Sequence, residues 1–373
     1  MSRLTRKDIV QAGIASLQTA LFTGTIAPLY YCFAAISYHE AMHWKKVDTK
    51  TVQCMLCPNQ CMLSNGDKGL CKARQCINGT LYSLVYGNIA ACHIDPIEKK
   101  PLYHFMPGNE ALSVATAGCN FSCKFCQNWQ LSQSHPHELD SKSITPVQLV
   151  NNALNKKTPI IAFTYNEPTI QYEYIYDTAV QAKKKHVACV IISNGYCNKN
   201  ASDLLYPMLD AIKIDFKAYS QKFYSEICGG NLQPVLNNIV LAKKKKVWIE
   251  LVNLVIPTLN DNPNDITAMA KFIKSHVGDT TPLHFTRFYP IYQLKNIPPT
   301  PVSTLERCKE IAVSEGLKYV YIGNVPGHPA NNTYCHTCGK LVIERSGFYT
   351  TSNKLKSGHC PHCNTRIPGI WTS

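Results

Sequence analysis

From residue 111 onward the chain alternates between short unbroken apolar runs and longer stretches in which apolar positions recur every three or four residues. The runs at 111–117, 160–164, 187–193, 209–216, 247–256, 283–288 and 319–322 are short and largely apolar throughout. Strands covered on both faces read in this way. Between them, 145–156, 170–185, 232–246, 261–275 and 302–314 carry the period of amphipathic helices. The Thr145-Pro146 pair marks a helix start, because a threonine caps well and a proline needs no partner in the first turn. Six or seven strand–helix units in series predict an α/β fold, a partial (β/α)6 barrel of the TIM type. In that architecture chemistry gathers just past the C-terminal ends of the strands.

The pattern breaks at three places and divides the chain. Residues 1–38 form an apolar segment: from Ile9 to Tyr38 there is no charged side chain, and Arg3, Arg6 and Lys7 precede it. That layout predicts a secretory signal, a membrane anchor or a helix docked on the body, with Arg6-Lys7 echoing a degenerate twin-arginine signal. Residues 39–110 form a cysteine-rich element, with a strand at 81–86 and, at 95–104, a connecting loop holding Pro96 and Pro101. The strand–helix series fills 111–325. A tail at 326–373 is too short for a core of its own and calls for metal.

Composition sharpens this picture at one point only. The formal charge of +14 favours acidic partners without choosing among carboxylates, phosphates, nucleic acid and anionic membranes. Lysine runs at 183–185 and 243–246 end helices, where cations suit the dipole. The 18 cysteines do matter. A chain of 373 residues has its own core, and its thiols fall in Cys-x-x-Cys pairs, which points to metal in a reducing compartment and away from a secreted disulfide scaffold. A cytoplasmic location follows, with membrane association through 9–38 as the alternative.

Three thiol sets stand out. Cys119, Cys123 and Cys126, spaced Cys-x-x-x-Cys-x-x-Cys, can wrap three corners of a cubane iron–sulfur cluster, and no cysteine adjacent in sequence closes the fourth. One iron is thereby left open for chemistry. Cys54, Cys57, Cys61 and Cys71 are close enough in sequence to share one metal, zinc or a second cluster. Cys335, Cys338, Cys360 and Cys363 form two knuckles separated by twenty-one residues and predict a zinc-ribbon-like element, with His336, His359 and His362 as bystanders. Phe348, Tyr349 and Arg345 in that tail would also suit RNA, although nothing there reads bases.

Polar residues close the other strands. Asn166 and Glu167 follow the second, Ser193 and Asn194 the third, and Lys213, Asp215 and Lys217 the fourth, two apart and so on one face. Glu250 and Asn253, then His284, Arg287 and Tyr289, mark the fifth and sixth.

With Phe125 before the third cysteine, the cluster loop resembles the radical S-adenosylmethionine (radical SAM) superfamily, nearest to the branch around pyruvate formate-lyase activating enzymes. Beyond about residue 38 the chain resembles the AmmeMemoRadiSam-system radical SAM enzymes. That likeness is carried by Cys54-x-x-Cys57-Pro58 with Cys61 and Cys71, by Asp95 to His104, by Asn128-Trp129, by Thr164 to Thr169 and by the tail cysteines. The resemblance implies a [4Fe-4S] cluster on Cys119, Cys123 and Cys126, with S-adenosylmethionine on its open iron. It places Asn166 and Glu167 where such enzymes hold the methionine amino group with a Gly-Gly-Glu segment, whose two glycines this chain lacks. Ser193 and Asn194 match ribose or carboxylate contacts, and Asp215 and Lys217 an Asp-x-Lys element near the sulfonium. The implied reaction cleaves S-adenosylmethionine reductively to a 5′-deoxyadenosyl radical that takes hydrogen from a substrate the sequence does not identify, and no catalytic residue beyond these is assigned. An electron donor such as flavodoxin or ferredoxin and partner proteins of the AmmeMemoRadiSam system are implied as well. Glycyl-radical activation and RNA modification are the alternative enzymatic readings. A zinc-ribbon RNA- or protein-binding adaptor with a degenerate barrel is the non-enzymatic one.

Overall fold

The computed structural model describes residues 38–371. The N-terminal apolar segment and the membrane expectation attached to it lie outside these residues. Among the described residues no helix is long and apolar enough to cross a membrane.

Eight strands form the central sheet. The first, β1 (Ala91–Pro96), runs antiparallel to β2 (Glu110–Ala115). Then β3 (Ile160–Phe163), β4 (Ala188–Ser193), β5 (Ala211–Asp215), β6 (Trp248–Val255), β7 (Leu283–Arg287) and β8 (Val320–Gly323) join β2 in parallel, each beside its predecessor. The crossovers are α1 (Pro146–Asn155), α2 (Tyr172–Lys183), α3 (Lys199–Leu205), α4 (Leu232–Lys244), α5 (Pro263–His276) and α6 (Val302–Ser314). Strands β2 to β8 and five of the six helices match the predicted series, whereas α3, only seven residues long, has no counterpart in it. The added strand, β1, falls partly where the sequence reads as a loop: it is an edge strand with mostly exposed side chains, so it carries no buried periodicity, and Pro96 sits at its end where no ladder donor is required.

Thr145 caps α1 as its sequence requires, accepting from the Gln148 amide while the Gln148 side chain accepts from the Thr145 amide. The predicted helix at 170–185 instead starts at Tyr172 after a 3-10 turn over Pro168–Gln171.

Both faces of the sheet are buried. Leu112, Val114, Ile161, Phe163, Ile212 and Ile214 pack toward the helices. Ala111, Ile160, Ala162, Val190 and Ala211 point the other way, onto Ile97, Leu102, Phe105 and Met106. This accounts for strands that are apolar at every position.

The cysteine-rich element is two small three-stranded sheets, Trp44–Lys46 with Thr51–Cys54 and Met62–Ser64, and His39–Glu40 with Thr80–Ser83 and Arg74–Ile77. Val52, Leu56 and Leu63 enter the same apolar cluster as the helix-facing side of the sheet. The tail adds β9 (Thr333–Tyr334), β10 (Leu341–Ser346) and β11 (Tyr349–Asn353). Its Val342, Ile343, Cys335, Cys360 and Ile367 pack on Tyr103, Tyr319 and Tyr321, so it borrows a core from the body.

A buried polar knot fastens that junction. Glu250 accepts from the Tyr103 and His104 amides at 2.9 and 2.7 Å, from Trp248 Nε1 at 3.0 Å and pairs with His284 Nε2 at 2.8 Å. His104 reaches the Pro368 carbonyl and the Tyr321 hydroxyl. Glu250 and His284, read from the sequence as strand-end polar groups, are therefore structural. Glu250 lies only three residues into its strand, at the end opposite the cluster loop. Asn253 donates through Nδ2 to the carbonyls of Phe216 and Lys217, while its Oδ1 is buried without a partner.

Candidate active site

The in-register parallel pairing sets Phe163 beside Val114 and Ile191, Ser193 beside Ile214, and Asp215 beside Val252. The polar residues that follow these positions are thereby delivered to one rim. There a cavity of about 480 Å³ opens, and Cys119, Cys123 and Cys126 all line it. So do Asn166, Glu167, Asn194, Asp215 and Lys217.

The cluster loop is fixed on every side. At Gly118 the backbone has φ of 93°, and an added Cβ would meet the Cys71 carbonyl oxygen at 2.2 Å, so only glycine fits. Asn120 donates to the Tyr196 carbonyl at 2.8 Å and accepts from Asn194 Nδ2 at 2.8 Å. At the far end of the loop Asn128 donates to the Tyr165 carbonyl at 2.8 Å. Tyr165 itself is left-handed, with φ of 70°, a conformation unfavourable for an aromatic residue. Its hydroxyl donates to Asp95, which holds that conformation and aims Asn166 at the cavity.

The three sulfurs meet a set of donors. The Phe121 amide donates to Cys119 Sγ at 3.4 Å, and the Ser132 hydroxyl lies 3.2 Å from Cys126 Sγ. The sequence showed no sign of Ser132, which comes from the short helical turn after the loop. Nor did it reveal Cys228, a buried thiol brought from more than a hundred residues away. The Ser122 amide donates to the Cys228 carbonyl at 2.9 Å, and the neighbouring Cys228 and then Lys217 hold the Cys123 thiol below its ordinary value. Burial pushes the Cys119 and Cys126 thiols up, which favours their protonated form until a cation replaces the proton.

Among the described residues the three sulfurs do not converge on the size of a single ion, in contrast to the tail cysteines. Thiolates on separate irons need no such convergence. Asn166 adds a further mark of fit. Its Nδ2 donates to the Gly118 carbonyl at 2.9 Å and to Thr116, while its Oδ1 is buried without a partner. An unpaired acceptor on the wall is what an ammonium group needs. Asn166 thus offers a contact that does not depend on the missing glycines.

The other expected ligands are also held by partners within the protein. Glu167 accepts from Thr169 N and Oγ1, from Ser193 Oγ at 2.7 Å and from Asn194 N at 2.7 Å, which ties the ends of β3 and β4 together. Burial pushes its carboxyl up. Ser193 does not line the cavity, its hydroxyl being committed to Glu167. Asn194 lines it with both side-chain polar atoms engaged, by Asn120 and by the Tyr196 amide. Asp215 lies between Lys213 and Lys217; burial alone would raise its pKa, yet the two cations outweigh this and hold it below the usual range. The Lys217 ammonium also sits over the Phe125 ring at 5.4 Å, which gives the aromatic of the cluster motif a place.

Lys99, Lys100, Lys213 and Lys217 reach the wall, the first two paired with Asp95 and the last two with Asp215; with Glu167 this sets four lysines against three carboxylates and leaves a small cationic excess. Phe348, which the sequence offers to RNA, closes the wall from the tip of the tail hairpin.

The tail thiols form a tight group. All four ligand atoms lie within 4.8 Å of one another, with Cys335 to Cys363 at 3.5 Å and Cys338 to Cys360 at 3.7 Å. A single tetrahedral ion with metal–sulfur bonds of about 2.3 Å fits that spacing. His336 is occupied by the Tyr319 hydroxyl.

Residues 113–273 match the radical SAM superfamily. An uncharacterized protein of Methanocaldococcus jannaschii is 44% identical over 330 residues, covering 88% of this chain and 98% of the other. The pyruvate formate-lyase-activating enzyme of Clostridium pasteurianum is 24% identical over 173 residues, 42% of this chain and 67% of that enzyme. Among solved structures, a radical SAM methyltransferase from Sphaerobacter thermophilus aligns with a TM-score of 0.47 at 14% identity, over 64% of this chain and 71% of the other.

Proposed function

We propose that this chain, which belongs to the radical SAM superfamily, is an enzyme that holds a [4Fe-4S] cluster on Cys119, Cys123 and Cys126 and binds S-adenosylmethionine beside it. The observation that carries this reading is the opening of those three thiols into one cationic cavity together with the unpaired Asn166 Oδ1. When bound, the cluster and S-adenosylmethionine supply one-electron cleavage to methionine and a 5′-deoxyadenosyl radical that abstracts hydrogen.

The residues of the chain orient and enclose. Asn166 accepts from the methionine ammonium. Asp215, kept ionised by Lys213 and Lys217, presents a negative edge to the sulfonium. Glu167 joins the two loops that carry Asn166 and Asn194. Ser132 and the Phe121 amide donate to the cysteinyl sulfurs and so bias the cluster toward its reduced state. The sequential strand order with β1 and β8 as edges supports a partial barrel open on one side, and the four tail thiols a structural zinc.

The lysine-rich wall favours a substrate carrying a carboxylate or phosphate. The likeness to an activating enzyme keeps a protein substrate, with a flavodoxin- or ferredoxin-type donor, as the second reading. Anaerobic reconstitution with iron and sulfide, then reduction with S-adenosylmethionine present, tests the first reading: 5′-deoxyadenosine and methionine should form in equal amounts, and the Cys126→Ala variant should form neither. A reconstituted cluster on these thiols that yields no 5′-deoxyadenosine refutes the radical reading.

A further inference from the structure

We propose that Cys54, Cys57, Cys61 and Cys71 hold a second iron–sulfur cluster, and not zinc, directly behind the cluster loop. These four thiols line one narrow cavity, with Gly69, Arg74 and Asn120 in its wall. The Sγ atoms of Cys71 and Cys61 flank the Gly69 Cβ position at 3.6 and 3.8 Å, and Arg74 Nη1 stands 3.8 Å from Cys54 Sγ.

The spacing of the tail thiols bears on which metal fits. A single zinc ion with bonds of about 2.3 Å draws its thiolates to about 3.8 Å from one another. The tail of this same chain has that geometry. Among the described residues it is the only place where three or more such ligand atoms come within 4.8 Å of one another. Neither Cys54, Cys57, Cys61 and Cys71 nor Cys119, Cys123 and Cys126 are among the groups that close to that size. A cubane puts each thiolate on its own iron, at the outside of a cage, and so wants a wider ring.

Charge supports an anionic occupant. Arg74 is 1% exposed, its guanidinium bonded to the Met42 carbonyl at 2.7 Å and to Glu173, yet its Nε has no partner. A buried guanidinium with a spare N–H is a donor for cluster sulfur and a countercharge for it.

The two thiol sets share a wall. The Cys71 carbonyl rests on Gly118, and Asn59 Nδ2 donates to the Asn120 carbonyl at 3.0 Å. Asn120 lines the N-terminal cavity, and its neighbour Cys119 lines the other. A cluster there would accept one electron from a low-potential carrier protein of the ferredoxin or flavodoxin class and give one to the neighbouring site, with no bond or proton changing hands. That role rests on the radical SAM reading; the presence of the cluster does not.

The test uses the full chain carrying Cys119→Ala, Cys123→Ala and Cys126→Ala, reconstituted anaerobically with iron and sulfide. About four irons and four sulfides per chain, with a paramagnetic signal on reduction, are expected. Zinc in their place, with no sulfide, overturns the proposal. Should that variant fail to fold, the Cys57→Ser/Cys71→Ser variant gives the same answer: its iron content should fall from about eight to about four per chain, and an unchanged content refutes the second cluster. Wild-type protein with about eight irons and no 5′-deoxyadenosine would sink the radical reading while leaving this one standing.

Discussion

Replacing Asn166 by alanine removes a buried, unpaired acceptor from the cavity wall. If Oδ1 receives the methionine ammonium, the lost bond is one to a charged donor, worth about 1.5–3 kcal/mol. Affinity for S-adenosylmethionine should then fall about 10- to 150-fold. The side chain also donates to the Gly118 carbonyl at 2.9 Å, so the alanine variant loosens the cluster loop as well. Asn166→Asp separates the two effects. It keeps an oxygen facing the ammonium and gives up the donation to Gly118, so its affinity should stay within a few-fold of wild type while the cluster becomes more labile. Calorimetric titration of S-adenosylmethionine into anaerobically reconstituted protein, with iron content checked for each variant, measures both. An alanine variant that binds as tightly as wild type, at full iron content, refutes the assignment of Oδ1.

Three further outcomes follow from groups the fold buries. Burial pushes His104 down to about 4, so between its unfolded value near 6.5 and that point the unfolded chain binds a proton the folded chain does not. Stability should be lost as pH falls through this window, by up to about 3 kcal/mol, and His104→Asn should flatten the dependence of the urea midpoint on pH. Arg74→Met strands Glu173, which is almost fully buried, and should cost about 3–5 kcal/mol; adding Glu173→Leu should recover most of it, as equilibrium denaturation of both variants can show. Ser132→Ala removes a donor to Cys126 Sγ and should make the loop cluster about 20–60 mV more negative by potentiometric titration, with an unchanged potential ruling out that contact.

The strand–helix series, the cap at Thr145 and the three cysteine sets are local facts: apolar period, side-chain chemistry and spacing along the chain determine them, and the sequence displays all of them. Strand β1 escaped that reading because an exposed edge strand leaves no apolar period. The rim position of Asn166 and Asp215 was also legible, since parallel strands end together. What those residues do at the rim was not, because a hydrogen-bond partner is chosen by distance in space. Only tertiary structure turned Ser193 onto Glu167, left Asn166 Oδ1 unpaired and made Glu250 a fastening for the tail. It alone brought Cys228 to Cys123 and Phe348 to the cavity, across more than a hundred residues each. The sulfur spacings belong to the same class. Cys-x-x-Cys pairs look alike in sequence whether they close on one ion or ring a cage, and the backbone around them decides which.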